Sequence, residues 1–131
     1  MIAIDSSPLI AIFKGEAFGA KWLELLLRLR TEDQLAACDV VWAEVGSVFP
    51  TLEMLRSSMD EFGIHFAPLD EIACFRAGQL FCDYRRRGGA RTRMVADFMI
   101  AAHALEHATG LATADDDFVR THFPRLRIVK P

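Results

Sequence analysis

The sequence has no two cysteines at metal-binding or redox spacing. Its three, Cys38, Cys74 and Cys82, are odd in number and scattered among apolar neighbours. A zinc ribbon and a disulfide framework are thereby excluded, and buried thiols in a reducing compartment are expected. No apolar run approaches the roughly 20 residues that cross a bilayer. Met1-Ile2-Ala3-Ile4 meets Asp5 at once, without the basic n-region or apolar core of a signal peptide, so a cytoplasmic location is expected. Excess positive charge is missing too: the net charge is −3 and the pI near 5.8. Overall charge therefore lends no affinity for a polyanion, although Arg85, Arg86, Arg87, Arg91 and Arg93 crowd into residues 85–93 without an acid among them. Internal repeats, low-complexity stretches and linkers are also absent, and 131 residues suit one domain, 1–131, with a sizeable core.

What is present is a globular composition, 52% hydrophobic and 25% charged. Residues 1–4 predict a short strand that enters a helix at Asp5-Ser6-Ser7-Pro8, with Pro8 in the first turn. Phe18, Trp22, Leu25, Leu26 and Leu29 share one face of a second helix. After a polar Thr31-Glu32-Asp33-Gln34 turn, residues 35–38 suit a buried strand, and Asp39 is placed to cap a helix over 40–48. Leu52, Leu55, Met59 and Phe62 repeat at helical spacing up to Gly63. Residues 64–66 suit another strand, and Asp70 opens a long helix that stops at Gly88-Gly89. Residues 95–108 form a small-residue helix, 111–113 and 127–129 the last strands, with a helical segment at 116–121 between them. Short apolar runs alternating with amphipathic helices indicate α/β architecture, a parallel sheet of four or five strands covered by helices.

In such sheets ligands gather beyond the carboxyl ends of the strands. Asp5 and Asp115-Asp116-Asp117 follow strands, Asp97 sits in a first helical turn, and Glu44 lies on a helix leaving the second strand. Each has a structural alternative: a helix cap for Asp5, the macrodipole for Asp97, a solvated turn for Asp115 to Asp117. Glu44 between Val41 and Val45 has the fewest, because a buried helical Glu needs a partner. Carboxylates brought together among apolar residues repel one another and resist desolvation unless a cation compensates. Mg²⁺ or Mn²⁺, which favour oxygen ligands, would do so.

Four segments, in order, carry a family resemblance. Ile4-Asp5-Ser6-Ser7-Pro8-Leu9-Ile10, Val41-Trp42-Ala43-Glu44-Val45, Ala96-Asp97-Phe98-Met99-Ile100-Ala101-Ala102-His103-Ala104 and Ala112-Thr113-Ala114-Asp115-Asp116-Asp117-Phe118 together resemble the PIN-domain family, in particular the VapC-type toxins of VapBC toxin–antitoxin pairs. The resemblance spans nearly the whole chain and implies a PIN-like three-layer sandwich. It places the metal-binding and catalytic acids on Asp5, Glu44, Asp97 and Asp115, with Ser7, Thr113 and Asp117 in support. The Thr113-x-Asp spacing favours Asp115 over Asp116. The chain departs from many relatives at Ala114, where they carry a basic or polar residue.

The activity implied is an Mg²⁺- or Mn²⁺-dependent endoribonuclease cutting single-stranded or looped RNA to leave a 5′-phosphate. Such a cluster offers no nucleophile of its own, so a metal-activated water is required. A cognate antitoxin and a homodimer are the implied partners. Arg91 and Arg93, in a glycine-containing loop ahead of Asp97, are expected to contact RNA, whereas Arg85 to Arg87 read as a solvated helix end. His103 and His107 form at most half a zinc site and are expected to be packed or solvent-facing. Phe18, Trp22 and Phe49 read as core or partner surface rather than base-stacking platforms. A catalytically silent PIN-like module acting through antitoxin binding is the alternative. A dehalogenase-like phosphoryl acceptor is disfavoured by Ser7 where a second Asp is needed, and a receiver by a late lysine only at Lys130.

Overall fold

The computed structural model describes residues 1–90 and 95–131. Five short strands, β1 (Ile2–Ile4), β2 (Leu35–Ala37), β3 (Ile64–Phe66), β4 (Gly110–Ala112) and β5 (Ile128–Val129), form one sheet in the order β3-β2-β1-β4-β5. Every pairing is parallel, with Ile2 opposite Leu35 on one side and Gly110 on the other. Among the described residues seven helices flank it: α1 (Ser6–Phe13), α2 (Gly19–Glu32), α3 (Asp39–Gly46), α4 (Leu52–Glu61), α5 (Glu71–Arg86), α6 (Val95–His107) and α7 (Asp116–His122). This is the expected three-layer α/β arrangement.

The strand order fixes where function belongs. The chain leaves β1 toward β2 and β3, then crosses back to β4 on the other side of β1. The direction of winding reverses between β1 and β4, so the crevice at their carboxyl ends is the topological switch point. The right-handed rule for parallel crossovers, applied to this strand order, assigns α1 to α4 to one face and α5 to α7 to the other.

Strand burial explains the sequence pattern. β1, β2 and β4 are buried along their whole length, so their residues are uniformly small or aliphatic rather than alternating. Nearly all the buried apolar side chains form one continuous cluster, which includes the fully enclosed Leu9, Leu26, Val41, Val45, Met59, Ile64 and Phe98. Phe98 is fully enclosed and touches Phe81, Tyr84, Phe118, His122 and Phe123 at centroid separations of 5.0–6.1 Å. That aromatic knot clamps the start of α6 between α5 and α7, which determines where Asp97 stands.

Several expectations are corrected. Asp39 does not cap α3, which starts one residue earlier after Cys38, with no side-chain cap. Asp39 Oδ1 instead accepts from the Leu69 amide, 3.1 Å away, tying α3 to the loop after β3. The expected turn at Thr31-Glu32 is the last turn of α2. Cys38 is buried, but Cys74 and Cys82 are exposed on α5, because that helix buries only the Ala73 and Ala77 stripe fully. Phe18 falls outside the buried face of α2. It is the residue before the helix and is 66% exposed, while Trp22, Leu25, Leu26 and Leu29 are buried. No described helix is long and apolar enough to cross a membrane.

Candidate active site

Asp5 stands at the carboxyl end of β1 as the N-cap of α1, its Oδ1 accepting from the Ser6 amide at 2.7 Å. Both the capping role and the site position expected from sequence fall on one residue. The other oxygen, Oδ2, accepts from the hydroxyls of Thr113 at 2.7 Å and Ser7 at 3.2 Å. Each hydroxyl accepts in turn from the loop after β4: Asp115 N–H reaches Thr113 Oγ1 at 3.0 Å, and Ala114 N–H reaches Ser7 Oγ at 3.2 Å. Thr113 is buried. Asp5 Oδ2 thus ties together the ends of β1 and β4, over a hundred residues apart in the chain, beside the backbone bond from Asp5 N–H to the Ala112 carbonyl at 2.9 Å.

Asp97, in the first turn of α6, and Asp115, the N-cap of α7, line the same cavity as Asp5 and Thr113. At about 20 Å³ that cavity admits one water-sized sphere. Glu44 approaches from α3, half-buried. Burial is the largest influence on its carboxyl group and raises its pKa; the Ser6 hydroxyl opposes this, and the charges of Asp5 and Asp97 add to it. Asp5 is raised as well, first by burial. The Thr113, Ser6 and Ser7 hydrogen bonds work against that, and the charge of Asp97 works with it. Three acids from β1, α3 and α6 therefore feel one another's charge.

Asp115 joins the cavity, while its neighbour Asp116 turns away into ion pairs with Lys130 at 2.8 Å and Arg120 at 3.4 Å. Asp117 is exposed in the first turn of α7. Ser6, whose hydroxyl lies 3.4 Å from Asp5 Oδ1 and also influences Glu44, was not singled out from sequence. Its only signal there is its place directly after Asp5. Arg91 and Arg93 lie outside the described residues. Of the preceding arginines, Arg85 reaches the Gly89 carbonyl at 3.4 Å and Arg86 and Arg87 are exposed at the end of α5. His103 is buried, stacked near His107, whose Nε2 meets Asp70 Oδ2 at 2.6 Å.

Among the described residues no three acids, imidazoles or thiols already stand at the spacing of a metal site. The donor chemistry nevertheless fits a hard divalent cation. All the converging groups are carboxylates, and burial together with mutual repulsion makes Asp5 and Glu44 costly to ionise, a cost that a cation offsets.

The family model of the PIN domain matches residues 2–124. The chain belongs to the PIN domain family. No curated protein matches this PIN domain at the level of sequence. Among solved structures it is similar to VapBC2 from Rickettsia felis, bound to a DNA fragment from its promoter, at 25% identity and a TM-score of 0.68 over 99% of this chain and 98% of that one. VapBC-1 from nontypeable Haemophilus influenzae aligns at 18% identity and a TM-score of 0.69, with the same coverage of 99% and 98%. FitAcB from Neisseria gonorrhoeae gives 19% and 0.60 over 98% and 96%. Both the family and the architecture expected from the four acidic segments hold.

Proposed function

We propose that this PIN domain, a single unit spanning 1–131, is a divalent-metal-dependent endoribonuclease and the toxin of a toxin–antitoxin pair. The observation that carries the reading is the convergence of Asp5, Asp97 and Asp115 on one small cavity at the switch point, with Glu44 within electrostatic reach of Asp5 and Asp97. Resemblance to VapBC structures supports an antitoxin partner, and a homodimer belongs to the same proposal.

In this reading Asp5, Glu44, Asp97 and Asp115 hold Mg²⁺ or Mn²⁺. The bound ion supplies a nucleophile at neutral pH by lowering the pKa of its water, and it stabilises charge on the leaving oxygen. The chain's own contribution is positioning. Ser7 and Thr113 fix the rotation of the Asp5 carboxylate through Oδ2, while Oδ1, among the described residues, faces the Ser6 amide and hydroxyl. The Phe98 knot holds the Asp97 end of α6 against α7. Asp117, exposed in the first turn of α7, assists from the rim, and Arg91 and Arg93 hold the RNA backbone.

Titrating Mg²⁺ and Mn²⁺ against cleavage of a single-stranded RNA panel tests the reading. Metal-dependent internal cuts leaving 5′-phosphates are expected. Undiminished cleavage in EDTA would remove the metal mechanism. The second reading, a catalytically silent module working through antitoxin binding, draws on the resemblance to VapBC structures. It predicts no cleavage at any metal concentration, with antitoxin binding retained.

A further inference from the structure

A groove of about 550 Å³ opens beside the acid cluster, between the start of α2 and the end of the chain. Its volume falls within the roughly 300–1,000 Å³ typical of sites for small organic groups. Ser7 and Ala114 are among its lining residues, and they are hydrogen-bonded to each other one step from Asp5. The groove's lining is therefore one hydrogen bond removed from Asp5.

Its walls are unusual for a surface cleft. Ala11 and the buried Trp22 line its apolar part, and Phe18 stands on the lip, 66% exposed. Phe18 is not loosely hung. Gly19, next in sequence, lies so close to α1 that an added methyl would strike the Ala11 carbonyl oxygen, so the ring's backbone anchor is locked against α1. Lys21 holds its ammonium 5.9 Å from the ring centroid. Lys130 lines the groove too, from its ion pair with Asp116. An exposed aromatic face flanked by lysines, at the mouth of a phosphodiester-cutting site, matches the parts of one nucleotide: a flat base and the phosphates on either side of it. Glu16, the one acidic side chain among the described lining residues, disfavours a phosphate on its own side and offers an acceptor to base N–H groups.

We infer that this groove is a nucleotide subsite, in which Phe18 stacks on a base flanking the scissile phosphate while Lys21 and Lys130 hold the adjoining backbone phosphates. The inference rests on the nuclease reading and names a position for its substrate. It also assigns Phe18 a role in substrate binding, where composition suggested core or partner surface.

The test compares two substrates in Mn²⁺ with the full chain: a single-stranded RNA cut by the parent protein, and bis(p-nitrophenyl) phosphate, a diester with no base. Phe18→Ala lowers the ratio of RNA kcat/KM to diester kcat/KM roughly tenfold, the scale of one lost base–aromatic stack, mostly through KM. Phe18→Trp restores the ratio, and Lys21→Ala lowers it with a shallower salt dependence. Phe75→Ala, an equally exposed aromatic on α5, leaves it unchanged. An unaltered ratio in Phe18→Ala, with the parent active on RNA, overturns the subsite alone and leaves the groove as a protein-docking surface. A parent inactive on both substrates overturns the nuclease reading and the subsite with it.

Discussion

Asp5 and Asp70 perform the same local task and end with opposite acidities. Each caps a helix: Asp5 Oδ1 accepts from Ser6 N at 2.7 Å, and Asp70 Oδ1 from Ala73 N at 2.8 Å. At Asp70 the capping amide is the dominant influence. It lowers the carboxyl pKa against a smaller cost of burial, and His107 lowers it further. At Asp5 burial outweighs three hydrogen bonds, and Asp97 brings a second negative charge. Capping is thus compatible with either outcome. A carboxylate marks a functional site when its surroundings fail to neutralise it, and that is a property of tertiary packing rather than of the cap.

The sharpest way to break this contrast is to neutralise one aspartate of each kind. Asp5→Asn or Asp97→Asn is expected to reduce RNA cleavage roughly a hundredfold or more, since metal coordination supplies several kcal/mol of transition-state stabilisation. Asp70→Asn should leave initial rates on labelled RNA within about twofold of the parent, the spread of a change that touches no reacting group. Equal losses at Asp70 and Asp97 would erase the distinction between the two regions.

Metal binding gives the next largest effect. Saturating Mn²⁺, at about a hundred times its dissociation constant, should raise the melting temperature by on the order of 10 °C. Asp97→Asn should abolish most of that rise in a thermal melt, and Asp70→Asn should not.

In EDTA the two aspartates should impose opposite pH trends on stability. The folded pKa of Asp5 is raised, so its favourable contribution is complete below the unfolded carboxylate pKa and is lost as pH rises through the folded value. The folded pKa of Asp70 is lowered, so its contribution is present above the unfolded pKa and is lost as pH falls through the folded one. Urea midpoints across the acidic range should show Asp5→Asn removing the decline toward neutral pH. A wild-type slope in Asp5→Asn would count against the buried-charge account.

The smallest effect belongs to Asp70→Asn in that same assay. A modest drop in midpoint at neutral pH is expected, because asparagine still caps helices well but no longer pairs with His107 as an anion.

These contrasts also indicate what the sequence could disclose. Strands and helices were legible because β1, β2 and β4 are uniformly apolar and the helices start at Asp5, Asp70 and Asp115, whose side chains accept from their own first turns. The acids were legible as an ordered set, since parallel strands deliver their carboxyl ends to one edge. Exposure was not. Phe18 fits the apolar stripe of α2 by spacing yet lies one residue before the helix, and Cys74 and Cys82 are exposed on α5, whose fully buried residues are Ala73 and Ala77. Asp39 shows the same limit, because its partner amide at Leu69 is thirty residues away. The choice of Asp115 over Asp116 rested on spacing from Thr113. In the structure Asp116 is occupied by Lys130, a pairing that no local pattern discloses.

The two hydroxyls beneath Asp5 have a dynamic corollary. Ser7 and Thr113 each own one proton, and each commits it to Asp5 Oδ2 while taking an amide proton from the strand-to-helix loop. Opening the Ala114-Asp115 backbone would release those hydroxyls and let the carboxylate swing, so loop fluctuation and ligand geometry form a single cooperative event. Hydrogen–deuterium exchange at those two amides is accordingly a built-in gauge of site occupancy, slowing when anything anchors the Asp5 oxygens.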